Sequence, residues 1–173
     1  MNILQQFKPI KLFALDVDGV LTNGSLLLLQ DGQMARSMNI RDGFALQLAI
    51  KKGYQIHVIS GGKDEAVRNR LNNLGVKDVL LGVTNKSAAL VEFVQKNSLK
   101  WEEVLFMGDD IPDLQVMKIS GLACCPSDAA PEIKAVSHYI SPLNGGNGCV
   151  RDIIEKVLKL NGHWDLDTET AAK

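Results

Sequence analysis

Aspartates follow two short apolar segments of the sequence, at the points where buried strands would end. Asp16 and Asp18 come directly after residues 11–15. A second group follows residues 104–107 and consists of Asp109, Asp110 and Asp113. Because ligands bind beyond the carboxyl ends of parallel strands, we expect these side chains to meet at one edge of a sheet. Carboxylates brought together in this way repel one another at neutral pH unless they are protonated or neutralised by a cation.

The chemistry of the donor atoms indicates which cation would fit. All of these aspartates offer oxygen, and no His or Cys falls near them in the pattern, so a hard ion such as Mg²⁺ is favoured over zinc. Protein-bound Mg²⁺ usually keeps several waters and a substrate phosphate. A single aspartate after a strand is more often a helix cap or turn residue, but this does not explain acidic groups at two strand ends. The pattern therefore predicts magnesium-dependent phosphoryl chemistry.

Two other positions could bind a phosphate group. Ser60 is followed by Gly61 and Gly62, so a hydroxyl and accessible backbone N–H groups precede a predicted helix, which is a common way to hold an anion. Lys86 stands in the first turn of another predicted helix, where a positive charge opposes the helix dipole. Local rules broken in this way often mark functional sites, so Lys86 is predicted to bind a phosphate oxygen.

Strand and helix patterns alternate along most of the chain. The predicted strands are residues 11–15, 54–59, 79–81, 104–107, 122–124 and 138–140. The predicted helices are residues 43–52, 64–74, 87–96, 112–119, 131–136 and 150–160. This alternation predicts an α/β fold, a Rossmann-like parallel sheet with helices on both faces, which would position the candidate residues at one sheet edge.

One segment, residues 25–38, interrupts the alternation and is predicted to form a projecting β-hairpin. Asp31-Gly32 separates Leu26–Leu29 from Met34–Met38, and Asp-Gly between two extended runs is a strong hairpin signal. Four consecutive leucines place apolar side chains on both faces of a strand, and each one left exposed forgoes about 1.5–3 kcal/mol of burial. We therefore expect the hairpin to meet other subunits; packing on its own domain is the alternative.

The composition is that of a globular protein. The 173 residues are 46% hydrophobic and 23% charged, and a formal net charge of −1 argues against nucleic-acid binding by bulk electrostatics. We expect one domain over residues 1–173, with a mobile tail over residues 164–173, where periodicity is lost. No segment resembles a signal peptide or approaches the ~20 apolar residues of a membrane span, so the protein is predicted to be cytoplasmic, with reduced cysteines.

Taken together, these positions resemble the four motifs of the haloacid dehalogenase-like phosphatase superfamily. Residues 16–20 (Asp-Val-Asp-Gly-Val) are similar to the first motif, Ser60 to the second, Lys86 to the third and residues 108–113 (Gly-Asp-Asp-Ile-Pro-Asp) to the fourth. The resemblance implies that Asp16 attacks phosphorus to form an aspartyl phosphate. It also implies that Asp18 protonates the leaving alcohol and then activates water, with Ser60 and Lys86 holding the phosphoryl group. The implied metal ligands are Asp16, Asp18 with a backbone contact from Val17, Asp109, Asp110 and Asp113.

Most enzymes of this superfamily carry a cap domain over the site, but the intervals between these motifs are too short to hold one. In this the chain resembles the capless 3-deoxy-D-manno-octulosonate 8-phosphate phosphatases, which are homotetramers of lipopolysaccharide sugar synthesis. The likeness is carried by residues 39–43 (Asn-Ile-Arg-Asp-Gly), by Asn85-Lys86 and by the glycine loop at residues 145–148. A capless site is open, so either it accepts large substrates or a neighbouring subunit closes it, and the apolar hairpin favours the neighbouring subunit.

The same likeness implies a set of substrate contacts. The residues implied are Asp18, Asn39, Ile40, Arg41, Asp42, Gly43, Gln47, Ser60, Gly61, Gly62, Arg70 and Lys86. Arginine suits the carboxylate of a sugar acid because its fork binds bidentately, although a solvated helix face is the alternative for Arg41 and Arg70. The chain has Gly62 and Gln47 where many relatives carry arginine. Both differences weaken the implied sugar contacts but not the implied phosphate chemistry. The alternative functions are a phosphatase for a nine-carbon sugar acid phosphate and a catalytically silent oligomerisation domain.

Overall fold

Short apolar runs form the strands, and the amphipathic segments between them form the helices. The computed structural model describes residues 2–165. In chain order the strands are β1 (Leu12–Leu15), β2 (Leu27–Leu28), β3 (Met34–Ala35), β4 (Gln55–Ile59), β5 (Asp78–Leu80), β6 (Val104–Met107), β7 (Leu122–Cys125) and β8 (Tyr139–Ile140). The helices are α1 (Ile3–Phe7), α2 (Ile40–Lys51), α3 (Glu65–Asn73), α4 (Lys86–Lys96), α5 (Leu114–Ile119), α6 (Pro131–Val136) and α7 (Cys149–Leu160).

Six of the strands form one parallel sheet in the order β5-β4-β1-β6-β7-β8. At its centre, Leu15 of β1 lies opposite Val58 of β4 and Met107 of β6. The three strands therefore end side by side. Residues that follow them emerge at the same edge of the sheet, as the sequence predicts.

Helices cover both faces of the sheet. Alternate strand residues point to opposite faces. Phe13 and Leu15 belong to a buried cluster with apolar side chains of α2, α3 and α7. Leu12 and Ala14 belong to a second cluster with side chains of α4, α5 and α6. The predicted α/β architecture is confirmed, and no cap domain is inserted within residues 2–165.

The hairpin projects from this core, as predicted, but its paired strands are short. Only Leu27 and Leu28 pair with Met34 and Ala35. The side chains of the leucine run stay largely outside the core, and Leu27 and Leu28 are 65% and 72% exposed. The described chain thus presents an apolar surface on the hairpin that its own domain does not cover.

The structure has one helix that the sequence does not predict, and several element boundaries shift by one to three residues. Helix α1 is not predicted, because five residues are too few for a helical period. Helix α2 begins at Ile40 instead of Gly43, because Asn39 caps it by accepting a hydrogen bond from the Arg41 N–H (2.8 Å). Of the predicted tail, Trp164 packs edge-on against Phe44, and residues 166–173 lie outside the described residues.

No helix in residues 2–165 is long and apolar enough to cross a membrane. The three cysteines, Cys124, Cys125 and Cys149, are free and buried in the core.

Candidate active site

The first acidic pair is positioned by the end of β1 and a tight turn over Val17–Leu21. Asp16 is buried, and its backbone N–H donates to the Met107 carbonyl (3.0 Å), which ties the residue to β6. Gly19 adopts a positive φ of 82°, a conformation in which glycine is strongly favoured. The hydroxyl of Thr22 accepts the Gly19 N–H (3.2 Å) and closes the turn.

The Val17 carbonyl also takes part in closing this turn. It accepts hydrogen bonds from the backbone N–H (3.0 Å) and the hydroxyl (3.4 Å) of Thr22. These hydrogen bonds hold the Val17 carbonyl in the turn, and its contact with a metal ion stays a prediction.

Three carboxylates converge at the sheet edge. One oxygen from each of Asp16, Asp109 and Asp113 lies within 4.8 Å of the other two. Asp113 is fixed because its Oδ2 accepts the Asp109 N–H (3.0 Å). A Cβ at Gly108 would lie 2.5 Å from Asp113, and one at Gly19 would lie 2.0 Å from Asp109 Oδ2. Both glycines are thus required for the close approach of the acidic groups.

Lys86 lies among these carboxylates. It opens α4, where Asn85 caps the helix by accepting the Ala88 N–H (3.0 Å). Its buried ammonium group lies 2.8 Å from Asp16 Oδ1 and 2.7 Å from Asp113 Oδ1. The lysine that opposes the helix dipole in the sequence is therefore held by two acidic side chains in the structure.

Burial makes the charges of this cluster costly. It raises the pKa of Asp16 to about 7, with help from the charge of Asp113 and against the effect of Lys86. Burial also raises the pKa of Asp109 to about 7, with contributions from the charges of Asp113 and Asp110. Burial lowers the pKa of Lys86, but Asp16 and Asp113 outweigh it, so that this pKa lies above its ordinary value. One ammonium group does not balance three carboxylates.

The cluster fits a hard divalent cation. All three converging side chains offer carboxylate oxygens, the ligands that Mg²⁺ prefers, and a cation would relieve the repulsion that raises the two pKa values. Asp110 lies at the rim of this group, where it is exposed and its Oδ1 accepts the Ile111 N–H (2.8 Å). It could support the cluster from outside.

A cleft of about 370 Å³ opens beside the cluster. It is lined by Asp16, Asp18, Gly24, Ser60, Gly61, Gly62, Val83, Thr84, Lys86, Asp109, Asp110, Pro112 and Asp113. Ser60 follows β4, and its hydroxyl accepts the Gly62 N–H (3.1 Å). The structure thus brings the residues of all four sequence motifs to one cleft, which has room for a phosphate ester.

A glycine loop late in the chain supports the first turn from behind. A Cβ at Gly145 would lie 1.9 Å from the Gly19 carbonyl oxygen, and one at Gly146 would lie 2.5 Å from the Asn23 nitrogen. The Gly146 N–H donates to the Val20 carbonyl (2.9 Å). These contacts explain the glycines by close packing of two backbone segments.

Sequence reasoning missed Arg36, which follows β3 of the hairpin. Its Nε lies 2.6 Å from Asp18 Oδ1, and its Nη1 lies 2.9 Å from Asp64 Oδ2. The contact joins residues 18 positions apart through the folded-back hairpin, and no local pattern signals it. Arg36 thus pairs with a residue of the cleft and also lines a neighbouring cavity.

That neighbouring cavity, of about 440 Å³, lies under the hairpin. It is lined by Leu29, Gln33, Met34, Ala35, Arg36, Met38, Ile40, Asp64, Ala66, Val67 and Arg70. Two of the residues implied as substrate contacts, Ile40 and Arg70, therefore lie here, next to the cleft.

The other implied sugar contacts on α2 lie elsewhere. Asn39 donates from Nδ2 to the Gly146 carbonyl (3.3 Å), and exposed Arg41 lines a separate groove beside α7. Asp42 is 2% exposed and accepts the Arg151 N–H (2.7 Å) at the start of α7. Gly43 is buried, and Gln47 is half-buried. None of these five residues lines the cleft beside the acidic cluster of the described chain.

Comparisons with known proteins point to one family. A family model described as haloacid dehalogenase-like hydrolase matches residues 78–153. A 3-deoxy-D-manno-octulosonate 8-phosphate phosphatase from Escherichia coli (strain K12) is 30% identical over 164 residues, which cover 95% of this chain and 87% of the relative.

Two solved structures of such phosphatases have the same fold. The Yersinia pestis enzyme superposes with a TM-score of 0.90 at 28% identity, covering 93% of this chain and 87% of the other. The Moraxella catarrhalis enzyme superposes with a TM-score of 0.88 at 34% identity, covering 91% of each chain. The latter was solved in complex with a magnesium ion, a phosphate ion and a KDO molecule.

Proposed function

Because the chain belongs to the haloacid dehalogenase-like hydrolases, in the family of the 3-deoxy-D-manno-octulosonate 8-phosphate phosphatases, we propose that it hydrolyses that sugar acid phosphate with the help of Mg²⁺. The products are the free sugar acid and phosphate. The observation that carries the proposal is the group of buried Asp16, Lys86 and Asp113 with half-buried Asp109, in a cleft shared with Asp18. A structural domain without chemistry has no need for such a costly arrangement of charge.

In the first step, a carboxylate oxygen of Asp16 attacks phosphorus. The phosphorus–oxygen bond to the sugar breaks, and its electron pair leaves on the sugar oxygen, which takes a proton from the Asp18 carboxyl. The result is an aspartyl phosphate and the free sugar alcohol. This route replaces one difficult displacement by two easier ones. Lys86 and the Ser60 hydroxyl hold phosphoryl oxygens from two sides of the cleft.

In the second step, the Asp18 carboxylate takes a proton from water while the water oxygen attacks phosphorus. The bond to Asp16 breaks, which frees its carboxylate and releases phosphate. Asp18 thereby returns to its protonated form, as general acid and base catalysis by one group requires.

Asp16, Asp109 and Asp113 would hold the Mg²⁺ ion, with Asp110 in support. When bound, it supplies charge that offsets the repulsion between an anionic nucleophile and an anionic phosphate, which is worth several kcal/mol. The fit of this cluster to a hard cation, and the magnesium ion in the Moraxella relative, support this assignment.

The cavity under the hairpin supports a sugar acid as substrate. It adjoins the cleft and is lined in part by Arg70, whose guanidinium suits a carboxylate. The exposed Leu27 and Leu28 support a homo-oligomer, a homotetramer by family resemblance, in which a neighbouring subunit closes the site. We place the enzyme in the cytoplasm, in the synthesis of lipopolysaccharide precursors.

A nine-carbon sugar acid phosphate is the second candidate substrate. The resemblance that implies the sugar contacts is weaker at Gly62 and Gln47, so those contacts do not by themselves select the eight-carbon substrate. Measuring kcat/KM on the eight-carbon and nine-carbon phosphates with purified protein distinguishes the two. We expect the eight-carbon compound to be preferred. A preference above tenfold, about 1.4 kcal/mol, for the nine-carbon compound would overturn this choice.

A further inference from the structure

We propose that Arg36 is a positioning residue, which orients the Asp18 carboxyl for proton transfer to the leaving group. The proposal rests on the role of Asp18 in the proposed function. It concerns an interaction between the hairpin and the first turn, outside the four motifs.

The guanidinium of Arg36 meets the Asp18 carboxyl mainly at one oxygen. Arg36 Nε lies 2.6 Å from Asp18 Oδ1, whereas Nη2 lies 3.5 Å from Asp18 Oδ2, which is a long contact. The short bond from a planar guanidinium restricts the orientation of the carboxyl, which the point charge of a lysine does not, and it leaves Oδ2 as the oxygen that can carry the proton. The Arg36 side chain is 9% exposed, whereas that of Asp18 is 39% exposed. The arginine is therefore the better ordered partner, and the acid is the group that is held.

The remaining guanidinium nitrogen, Nη1, anchors Arg36 to the start of helix α3. Nη1 lies 2.9 Å from Asp64 Oδ2, and Asp64 caps α3 by accepting the Ala66 N–H (2.9 Å). Arg36 is thus held between a helix terminus and the catalytic turn. An anchored support of this kind is what a catalytic side chain needs to keep its orientation.

Two other features of the cleft are consistent with this role of Arg36. Lys86 is already paired with Asp16 and Asp113, so it does not orient Asp18. A Cβ at Gly62 would lie 3.3 Å from Asp18 Oδ2 and 3.6 Å from Arg36 Nη2. The absence of a side chain at Gly62 therefore leaves space for the guanidinium to reach Asp18.

The test compares leaving groups in wild type, Arg36→Gln and Asp18→Asn. Three substrates are used: the eight-carbon sugar acid phosphate, arabinose 5-phosphate as a neutral sugar phosphate, and p-nitrophenyl phosphate. A sugar oxygen needs a proton as it leaves, whereas p-nitrophenolate leaves without one. Because kcat/KM reports the step that breaks this bond, Arg36→Gln should lower it about ten- to a hundredfold on both sugar phosphates. It should lower kcat/KM by less than about threefold on the aryl ester.

Other outcomes have distinct meanings. Equal loss on all three substrates would mean a structural role, and loss on the sugar acid alone would mean carboxylate binding; either result overturns the proposal. If Asp18→Asn itself fails to discriminate between leaving groups, the role of Asp18 in the proposed function fails. If Asp18→Asn discriminates and Arg36→Gln does not, the inference about Arg36 fails and the proposed function stands.

Two milder variants, Arg36→Lys and Asp64→Asn, test the same contact in case Arg36→Gln fails to fold. Arg36→Lys keeps the charge without the planar guanidinium and should show the same leaving-group pattern in weaker form, and Asp64→Asn should do likewise by loosening the anchor. Arg68→Gln, which removes an ion pair with Glu65 (3.0 Å) on α3, is the matched control and should leave the three rates in their wild-type ratio. Thermal unfolding of each variant checks that the fold is retained. Wild-type ratios in both Arg36 variants would overturn the proposal.

Discussion

The ammonium group of Lys86 lies 2.8 Å from a carboxylate oxygen of Asp16, although the two residues are far apart in the sequence. Asp16 directly follows β1, and Lys86 begins α4. The ion pair is buried, so it is stronger and less screened by salt than a surface pair. It places a cation beside the group that must approach an anionic phosphate.

Asp16→Asn should abolish phosphate release, with a loss of at least roughly a thousandfold in kcat, because an amide cannot act as the nucleophile. The side chain keeps its size, so the fold and the oligomeric state should be unchanged. Phosphate release and light scattering measure the two effects. Asp31→Asn, in the exposed hairpin turn, is the control and should be fully active. Appreciable turnover by Asp16→Asn would remove Asp16 as the nucleophile.

Chelation should switch the enzyme off reversibly. EDTA is expected to abolish phosphate release, and excess Mg²⁺ should restore it, because the buried carboxylates need a cation to balance their charge. Mg²⁺ should also raise the thermal unfolding midpoint, since a ligand that binds only the folded chain stabilises it. Asp109→Asn should shift the Mg²⁺ dependence of both readouts to higher concentrations. Activity that is indifferent to EDTA would contradict the metal assignment.

Replacing Leu27 and Leu28 by serine should lower the oligomeric state. These side chains are 65% and 72% exposed on the hairpin, and burying them against a second copy is the expected driving force for assembly. Static light scattering measures the mass of the particle. The matched control replaces Ile119 and Leu160, each 38% exposed at a helix end, by serine and should keep the wild-type mass. An unchanged mass for the hairpin variant would refute an interface there.

Stability should depend on pH through Asp42. Burial raises its pKa from 3.8 to about 6, although hydrogen bonds from the Arg151 and Gly148 backbones oppose the shift. Below pH 6 the folded chain binds a proton that the unfolded chain does not bind until near pH 4. The contribution of Asp42 to the free energy of unfolding therefore rises as pH falls through this window, by about 1 kcal/mol between pH 7 and pH 5, in addition to the contributions of Asp16 and Asp109, whose raised pKa values act in the same direction.

Asp42→Asn should lack this contribution, since it has no group to titrate there. Urea unfolding at pH 7 and pH 5 measures the difference, with Asp31→Asn as a control that should follow wild type. Parallel pH profiles for wild type and Asp42→Asn would show that the burial of Asp42 costs less than its raised pKa implies.

The sheet and its catalytic edge were predictable because they follow from local signals. Residues 104–107 are four apolar residues between Glu103 and Gly108, and they form β6 with those bounds. Once the parallel order of the strands is inferred, Asp16 and Asp109 must emerge side by side, and the structure confirms that they do.

The remaining features depend on contacts between distant segments. Arg36 reaches Asp18 only because the hairpin folds back over the first turn. Asp42 sits in a motif that suggests substrate binding, but it is buried and caps α7, which begins more than a hundred positions later. Neither placement leaves a periodic or compositional trace, so sequence patterns alone could not reveal it.

The loop at Gly145 and Gly146 has a consequence for the order in which the site can form during folding. It packs against the carbonyl of Gly19 and the nitrogen of Asn23, more than a hundred positions earlier in the sequence. Contacts between such distant segments must overcome the entropy of closing a long loop, so they form later than local turns. We therefore expect the turn that carries Asp16 to reach its final geometry only after this loop has docked.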